Sequence, residues 1–397
     1  MRIAIVYDCL YPHTVGGAER WLRALAEALS EEHQVSYVTR RQWGAGDRPV
    51  SAARCVAVAP GGPLYADDGR RLVWPGLRFG AGVFVHFVRR RGAYDVVHCG
   101  AYPFFGVLAV RAALLGRRTP RIFVDWAECL GAAYWRSYAG PIAGRAGHAL
   151  QTLSVRLTPA AFCFSRLVEQ RLRRSALRGP VVRLPGLLVE GDGAAPPGEA
   201  VRQPLVLFAG RHVPDKRTQL LADAVARARE QLPELRAVFV GDGPERPLLL
   251  ERLRADEWIR APGFVDEREL GRLMRSAACL VCASRREGYG MVVAEAAAAG
   301  TPSVVVAAPE SAAPELVEEG VNGRVVPDAR PETLAAAIVA VVREGEALRR
   351  STAAWFERHR ERMSMAASIA VVQQAYRREL AAGPGAKTRR PRPVARR

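Results

Sequence analysis

From end to end the chain repeats one pattern: a short, nearly unbroken apolar run followed by a longer helix-compatible stretch. "RIAIVYDC" leads into a helical run over residues 18–29, then come "HQVSYVTR" and later "YDVVHCG", "RIFVDW" and "AFCFS". Apolar runs without polar alternation are strands buried on both faces, which occur where helices cover both sides of a parallel sheet. Residues 186–204, rich in glycine, proline and charge, break the pattern as a linker does. It restarts with "PLVLFAG", "LRAVFVGDG", "WIRAPGFV", "ACLVCAS" and "PSVVVAA", and beyond Glu332 the sequence reads as mainly helical to Leu380. The expected class is therefore α/β with two doubly wound, Rossmann-like units, and 397 residues exceed one ordinary core. The expected division is 1–188, a linker at 189–203, 204–345, C-terminal helices at 346–380 packing back on the first unit, and a disordered basic tail at 381–397.

Two such units facing one another leave a cleft at the carboxyl ends of their strands, where open α/β sheets bind ligands. The formal charge of +18, from 58 basic and 40 acidic residues, favours a polyanionic partner: nucleic acid, anionic lipid or a diphosphate. The charge gathers in the tail "AKTRRPRPVARR", in residues 165–178, and in Arg89, Arg90 and Arg91 beside an apolar segment. A basic helix next to an apolar patch fits a membrane surface. That segment, residues 76–88, is interrupted by Arg78 and His86 and is too short to span a bilayer, and the N-terminus lacks the apolar core of a secretion signal. Seven cysteines, mostly in apolar runs, suit reduced thiols in the cytoplasm. Cys279 and Cys282 form a C-x2-C pair with no second pair or nearby histidines, so no metal is expected.

Polar residues stand where the second unit's strands end. After "PLVLFAG" come Arg211 and Lys216, a guanidinium and an ammonium beside a helix N-terminus, a set suited to a diphosphate. After "ACLVCAS" comes "RREGYGMVVAEAAAAG", with Glu287 in a loop and Glu295 eight positions on, about a turn into a helix. A general-acid and general-base pair needs converging carboxylates, so these two instead suit the hydroxyls of one extended ligand carrying two sugars. Gly288 and Gly290 let backbone approach that ligand, and the helix beginning near Met291 offers free amides. "APGFVDE" closes another strand, where Gly263, Phe264 and Val265 can hold a flat base. In the first unit "VGGAER" puts Gly16 and Gly17 between strand one and its helix, without a complete dinucleotide fingerprint.

In this order the motifs resemble glycosyltransferase family 4, retaining nucleotide-sugar enzymes of the GT-B fold. "GRHVPDK" and "EGYGMVVAEAAAAGTPSVV" match the family's phosphate motif and its E-x7-E motif, with "GDGPE" and "GFV" also in place. The resemblance implies that Arg211 and Lys216 bind the donor diphosphate and that Glu295 holds the ribose. It assigns Glu287 and the amides of Gly288, Tyr289, Gly290 and Met291 to the transferred sugar, and Gly263 to Val265 to the base. Gly16 and Gly17 would lie across the cleft near the phosphates and the acceptor, which makes the first unit the acceptor domain. No metal or other cofactor is implied beyond the nucleotide-sugar co-substrate.

Two departures concern the first domain. Many members carry a histidine after the strand equivalent to "RIFVDW"; residues 122–128 contain none, and Asp125 and Glu128 are the nearby polar groups. His98 matches a frequent family histidine, but the second one common two residues later is Gly100 here; His98, Asp125 and Glu128 are the catalytic candidates there. The expected function is hexose transfer to a lipid-linked or glycan acceptor in cell-envelope glycan synthesis, at the cytoplasmic face of an anionic membrane. A nucleotide-sugar epimerase on the same fold, a basic nucleic-acid-binding protein and a non-catalytic relative are the alternatives. No nucleic-acid recognition motif accompanies the charge. Nothing in the sequence chooses among uracil, guanine and adenine.

Overall fold

The computed structural model describes residues 1–44, 50, 52–66, 71–117, 119–189, 204–254 and 256–381. The expected linker and tail lie outside these except for Val189 and Ala381. The first sheet is formed by β1 (Arg2–Val6), β2 (Gln34–Arg40), β3 (Arg54–Ala59), β4 (Val96–Gly100), β5 (Arg121–Asp125), β6 (Ala161–Cys163) and β7 (Val181–Arg183). Its spatial order is β3-β2-β1-β4-β5-β6-β7, and every pairing is parallel. The helices between them are α1 (Gly17–Ser30), α2 (Val73–Arg89), α3 (Phe105–Ala113), α4 (Ala132–Ala139), α5 (Pro141–Leu157) and α6 (Arg166–Arg174).

Successive side chains of a strand face opposite sides, and β1 shows why it carries no polar alternation. Ile3, Ile5 and the following Tyr7 share a core with Trp21 and Leu25 of α1, whereas Ala4 and Val6 share the other with Phe79, Val83 and Val107.

The second sheet contains β8 (Leu205–Ala209), β9 (Arg236–Val240), β10 (Ile259–Gly263), β11 (Cys279–Cys282), β13 (Ser303–Val306) and β15 (Gly323–Val326), in the order β10-β9-β8-β11-β13-β15. The short strands β12 (Arg286–Glu287) and β14 (Glu310–Ser311) pair beside it. Its helices are α7 (Thr218–Arg229), α8 (Arg246–Arg252), α9 (Glu267–Ser276), α10 (Met291–Ala298) and α11 (Pro331–His359). Gly345 (φ 53°) breaks the helical course of α11, and a 3-10 turn over Arg360–Met363 then leads to α12 (Met365–Ala381).

This last helix covers the first sheet. Val372 and Tyr376 are fully buried in the core that contains Ile3 and Trp21; burying a side chain such as Val372 contributes about 1.5–3 kcal/mol. Ser368 on α12 accepts from the Gly186 amide at 2.9 Å and donates to the Gly186 carbonyl at 2.6 Å. Among the described residues no helix is long and apolar enough to cross a membrane.

Strand order reverses between β1 and β4 in one sheet and between β8 and β11 in the other. Connections there leave in opposite directions and open a crevice at the strand ends. Residues after β1, β8 and β11 therefore meet at one place.

Candidate active site

On the second-domain wall, the turn after β8 carries Arg211 and the 3-10 segment Pro214–Lys216. Lys216 Nζ donates to Glu287 Oε1, which also accepts from Ser284 Oγ at 3.0 Å. Burial alone would lower the Lys216 pKa; the Glu287 carboxylate outweighs it, and the ammonium is held charged. Arg211 donates to the Tyr65 hydroxyl at 3.2 Å with its guanidinium 5.6 Å from the ring centre. Glu287 is fixed by the β12–β14 pairing, its carbonyl accepting from the Ala312 amide at 2.8 Å. Gly290 then caps the start of α10, and Glu295, one turn in, lies 3.6 Å from Arg20 of α1.

The two glycine motifs meet face to face. A Cβ on Gly288 would stand 1.9 Å from the Ala127 carbonyl oxygen, and one on Gly17 would stand 2.6 Å from Met291 Sδ. Both contacts are closer than real Cβ atoms reach, so these positions let the loop before α10 touch α1 and the segment after β5. Gly16 leaves room for the Glu19 carboxylate in the same way. The side chain of Tyr289 turns into the first-domain core, 5.9 Å from Phe164, so this residue can meet a ligand only through its backbone. Gly263 ends β10, Phe264 stands 65% exposed, and Val265 packs inward.

The first-domain candidates separate. His98 is fully buried. Its Nδ1 is hydrogen-bonded to the Tyr376 hydroxyl of α12, its ring stacks on Phe162 at 5.7 Å, and Nε2 lies 2.8 Å from Asp125 Oδ2. The imidazole thus ties α12 to the sheet from a fully buried position. Asp125 is drawn into the same network, accepting from Trp21 Nε1; its Oδ1 and the His98 Nε2 are both buried without a hydrogen-bond partner among the described residues. Glu128 is the candidate that reaches the cleft. Its Cγ lies beside Gly288, and its carboxylate is 3.6 Å from Arg286.

Several site residues escaped the motif reading. Asp8, fully buried at the end of β1, pairs with Arg71, whose guanidinium also lies 4.7 Å from the Tyr102 ring centre. Glu19 sits at the start of α1 near Arg71 and Arg211; burial foremost raises its pKa. Arg286 bridges Glu128 and Asp215 (3.5 Å), and Asp215 also accepts from the Tyr134 hydroxyl. Glu315 closes another part of the seam, accepting from the Arg166 and Leu167 amides at the α6 N-terminus, each at 2.8 Å. Asp8 and Glu19 carry a local signal, being acidic residues at the end of the first strand and in the first turn of its helix. Arg71 has none, because its partner is 63 positions away.

Cations and carboxylates thus alternate along the crevice, and Lys216 and Arg211 stand on one wall opposite the α1 amides. Such an arrangement can take a diphosphate by exchanging Glu287 for phosphate oxygens on Lys216, freeing the glutamate for hydroxyl groups. Among the described residues no group of three or more His, Cys, Asp or Glu side chains could hold a metal ion.

Family models match both domains: Glycosyltransferase Family 4 over residues 15–185 and Glycosyl transferases group 1 over residues 203–344. The chain is 34% identical over 182 residues to a D-inositol 3-phosphate glycosyltransferase of Jonesia denitrificans, covering 43% of this chain and 41% of that protein. It is also 34% identical over 196 residues to a phosphatidyl-myo-inositol mannosyltransferase of Mycobacterium leprae, covering 48% and 52%. It therefore spans about half the length of these two relatives, or less. The solved structure of Anabaena Alr3699/HepE with UDP and glucose shares the fold, with a TM-score of 0.70 at 18% identity over 95% of this chain and 100% of that one.

Proposed function

Because the chain belongs to glycosyltransferase family 4 and has the GT-B fold, we propose that it transfers a hexose from a nucleotide sugar to a lipid-linked or glycan acceptor, with retention of configuration. The observation that carries this reading is the convergence of Arg211, Lys216, Glu287 and Glu295 on one wall, opposite Gly16 and Gly17. Arg211 and Lys216 take the diphosphate and stabilise charge on the departing nucleotide; losing one such preplaced donor costs about 3–4 kcal/mol of transition-state stabilisation. Glu287 and the backbone following it orient the sugar, and Glu295 holds the ribose once Arg20 releases it. The new bond forms on the face that the nucleotide leaves, with the departing phosphate accepting the acceptor's proton, so no protein nucleophile is needed. Glu128 is the first-domain carboxylate placed to orient the acceptor.

A membrane-borne acceptor is supported by α2, where Val73, Trp74, Leu77, Phe84 and Val85 are exposed and the helix ends in exposed Arg89, Arg90 and Arg91. Apolar side chains in the headgroup region with basic residues beside them suit an anionic leaflet. The basic run at 165–178 contributes less to that surface, since Arg171 turns to Glu310 and Arg173 to Glu169. Cytoplasmic, peripheral placement follows from this reading.

The test is incubation with labelled UDP-, GDP- and ADP-sugars and a membrane lipid extract, followed by the anomeric configuration of the product. Transfer with retention, lost in Glu287→Gln, is expected. Conversion of the sugar without any acceptor would mean an epimerase. Vesicle flotation reports the membrane half: Trp74→Ser should release the protein from anionic vesicles, and equal binding to neutral vesicles would indicate a soluble acceptor.

A further inference from the structure

We infer that Arg171 of the first domain is a positioning residue for the transferred sugar: it clasps β14, the strand against which Glu287 is paired. The inference rests on the reading that Glu287 meets the sugar. Arg171 belongs to the basic run at 165–178, most of whose charge the membrane surface leaves unused. Val168 and Leu172 of α6 pack into the first domain's core, whereas Arg171 turns to the second domain. Its Nη1 donates to the Cys129 carbonyl after β5 at 2.9 Å and to the Glu310 carboxylate, and Nη2 donates to the Pro309 carbonyl at 2.7 Å. The Gly131 amide also donates to Glu310, at 3.2 Å. A planar guanidinium fixes direction as well as distance, and the Arg171 and Glu310 side chains are only 19% and 13% exposed. Glu315 adds a second tie on the same helix, accepting from the Arg166 and Leu167 amides.

The segment gripped in this way, residues 309–316, also backs the loop that carries Glu287. Arg286 is in register with Glu310 and Glu287 with Ser311, and the Ala312 amide donates to the Glu287 carbonyl at 2.8 Å. At the start of α10, a Cβ on Gly290 would stand 3.2 Å from Ala313 and 3.4 Å from Leu316. A pair of two-residue strands has little stability of its own. The place of Glu287 therefore depends on what anchors β14, and that anchor is α6 of the other domain. Arg211 and Lys216 are carried by the turn after β8 instead. Loosening the clasp should shift the group that meets the sugar and spare those that meet the diphosphate.

Isothermal titration of UDP, GDP and ADP, and of their glucose and mannose esters, against the wild type, Arg171→Met, Arg171→Lys and Glu315→Ala tests this. Arg171→Met should weaken the ester that the wild type binds by about tenfold or more, as small displacements of a positioning group do, and the matching free diphosphate by less than about threefold. Glu315→Ala, at an exposed position, should shift the same ratio in the same direction, and it decides alone where Arg171→Met fails to fold. Arg171→Lys keeps a charge on Glu310 and should recover part of the ester affinity. In a Glu287→Ala background, Arg171→Met should change ester affinity by less than about threefold, because the group it positions is gone. Equal weakening of ester and free diphosphate overturns the inference, since that is the mark of a purely structural arginine. So does full ester affinity in Arg171→Met and Glu315→Ala. If the wild type binds none of the nucleotides, the donor-site reading itself falls; if they bind and Lys216→Ala weakens them, that reading stands whatever Arg171 does.

Discussion

Lys216 and Glu287 form the closest ion pair of the donor wall, and separating their structural from their ligand-binding role gives a quantitative test. Their side chains are 20% and 15% exposed, so the pair is largely buried. Lys216→Met leaves the Glu287 carboxylate with only the Ser284 hydroxyl at 3.0 Å. Orphaning one member of a buried pair costs about 3–5 kcal/mol; partial exposure and the serine reduce the expected loss here to about 2–3 kcal/mol. The same substitution removes a charge-assisted contact to the diphosphate worth about 2 kcal/mol, or about 30-fold in the dissociation constant. The double variant Lys216→Met/Glu287→Gln has no orphaned charge, so its stability should return to within about 1 kcal/mol of wild type. Its nucleotide affinity should stay low. Glu287→Gln alone should bind a nucleoside diphosphate at least as tightly as wild type, because the lysine no longer has a competing carboxylate. Urea denaturation and calorimetric titration of the four proteins complete the cycle. Additive stability losses, or full affinity in Lys216→Met, would refute the pairing argument.

Further consequences can be measured independently. Gly288→Ala puts a methyl group 1.9 Å from the Ala127 carbonyl, so transfer should fall by tenfold or more (about 1.4 kcal/mol) with little change in the second domain's own unfolding. Tyr376→Phe removes the hydroxyl bonded to His98 and should destabilise by about 1 kcal/mol while leaving turnover per folded molecule unchanged; a selective loss of turnover would give His98 a part in the reaction. Burial first, and then Arg90 and Arg54, lower the His86 pKa from 6.5 to about 4. The unfolded chain therefore takes up a proton before the folded one does, and stability is lost as pH falls from 6.5 towards 4. The loss reaches as much as about 3 kcal/mol, and denaturation of His86→Leu at pH 7 and pH 5 should show a flatter dependence.

What the sequence disclosed and what it concealed follow from range. The central strands, β1 and β11 among them, are buried on both faces and therefore legible as continuous apolar runs. The strands β3, β7 and β15 were not, because β3 and β7 sit at the sheet edges with part of their surface exposed, and β15 mixes glycine and arginine with valine. Arg211, Lys216 and Glu287 could be located because each lies a few positions beyond β8 or β11, where strand ends line the crevice, and Glu295 because it sits in the helix that follows. His98 also lies near a strand end, yet its surroundings are decided by Tyr376, 278 positions later. Local pattern cannot tell a histidine under α12 from one in the cleft. The Asp8–Arg71 pair and the Arg286 bridge to Glu128 and Asp215 have the same origin: partners brought together only by closure of the two domains or by long connections.

Thermal unfolding of the wild type and Lys216→Ala against UDP-, GDP- and ADP-sugars tests the donor site most directly. A ligand at a hundred times its dissociation constant adds about 2.7 kcal/mol of stability. The account predicts that at least one nucleotide class raises the wild-type midpoint and fails on the variant. Stabilisation of neither protein, or of both equally, would contradict a nucleotide-sugar site built on Lys216.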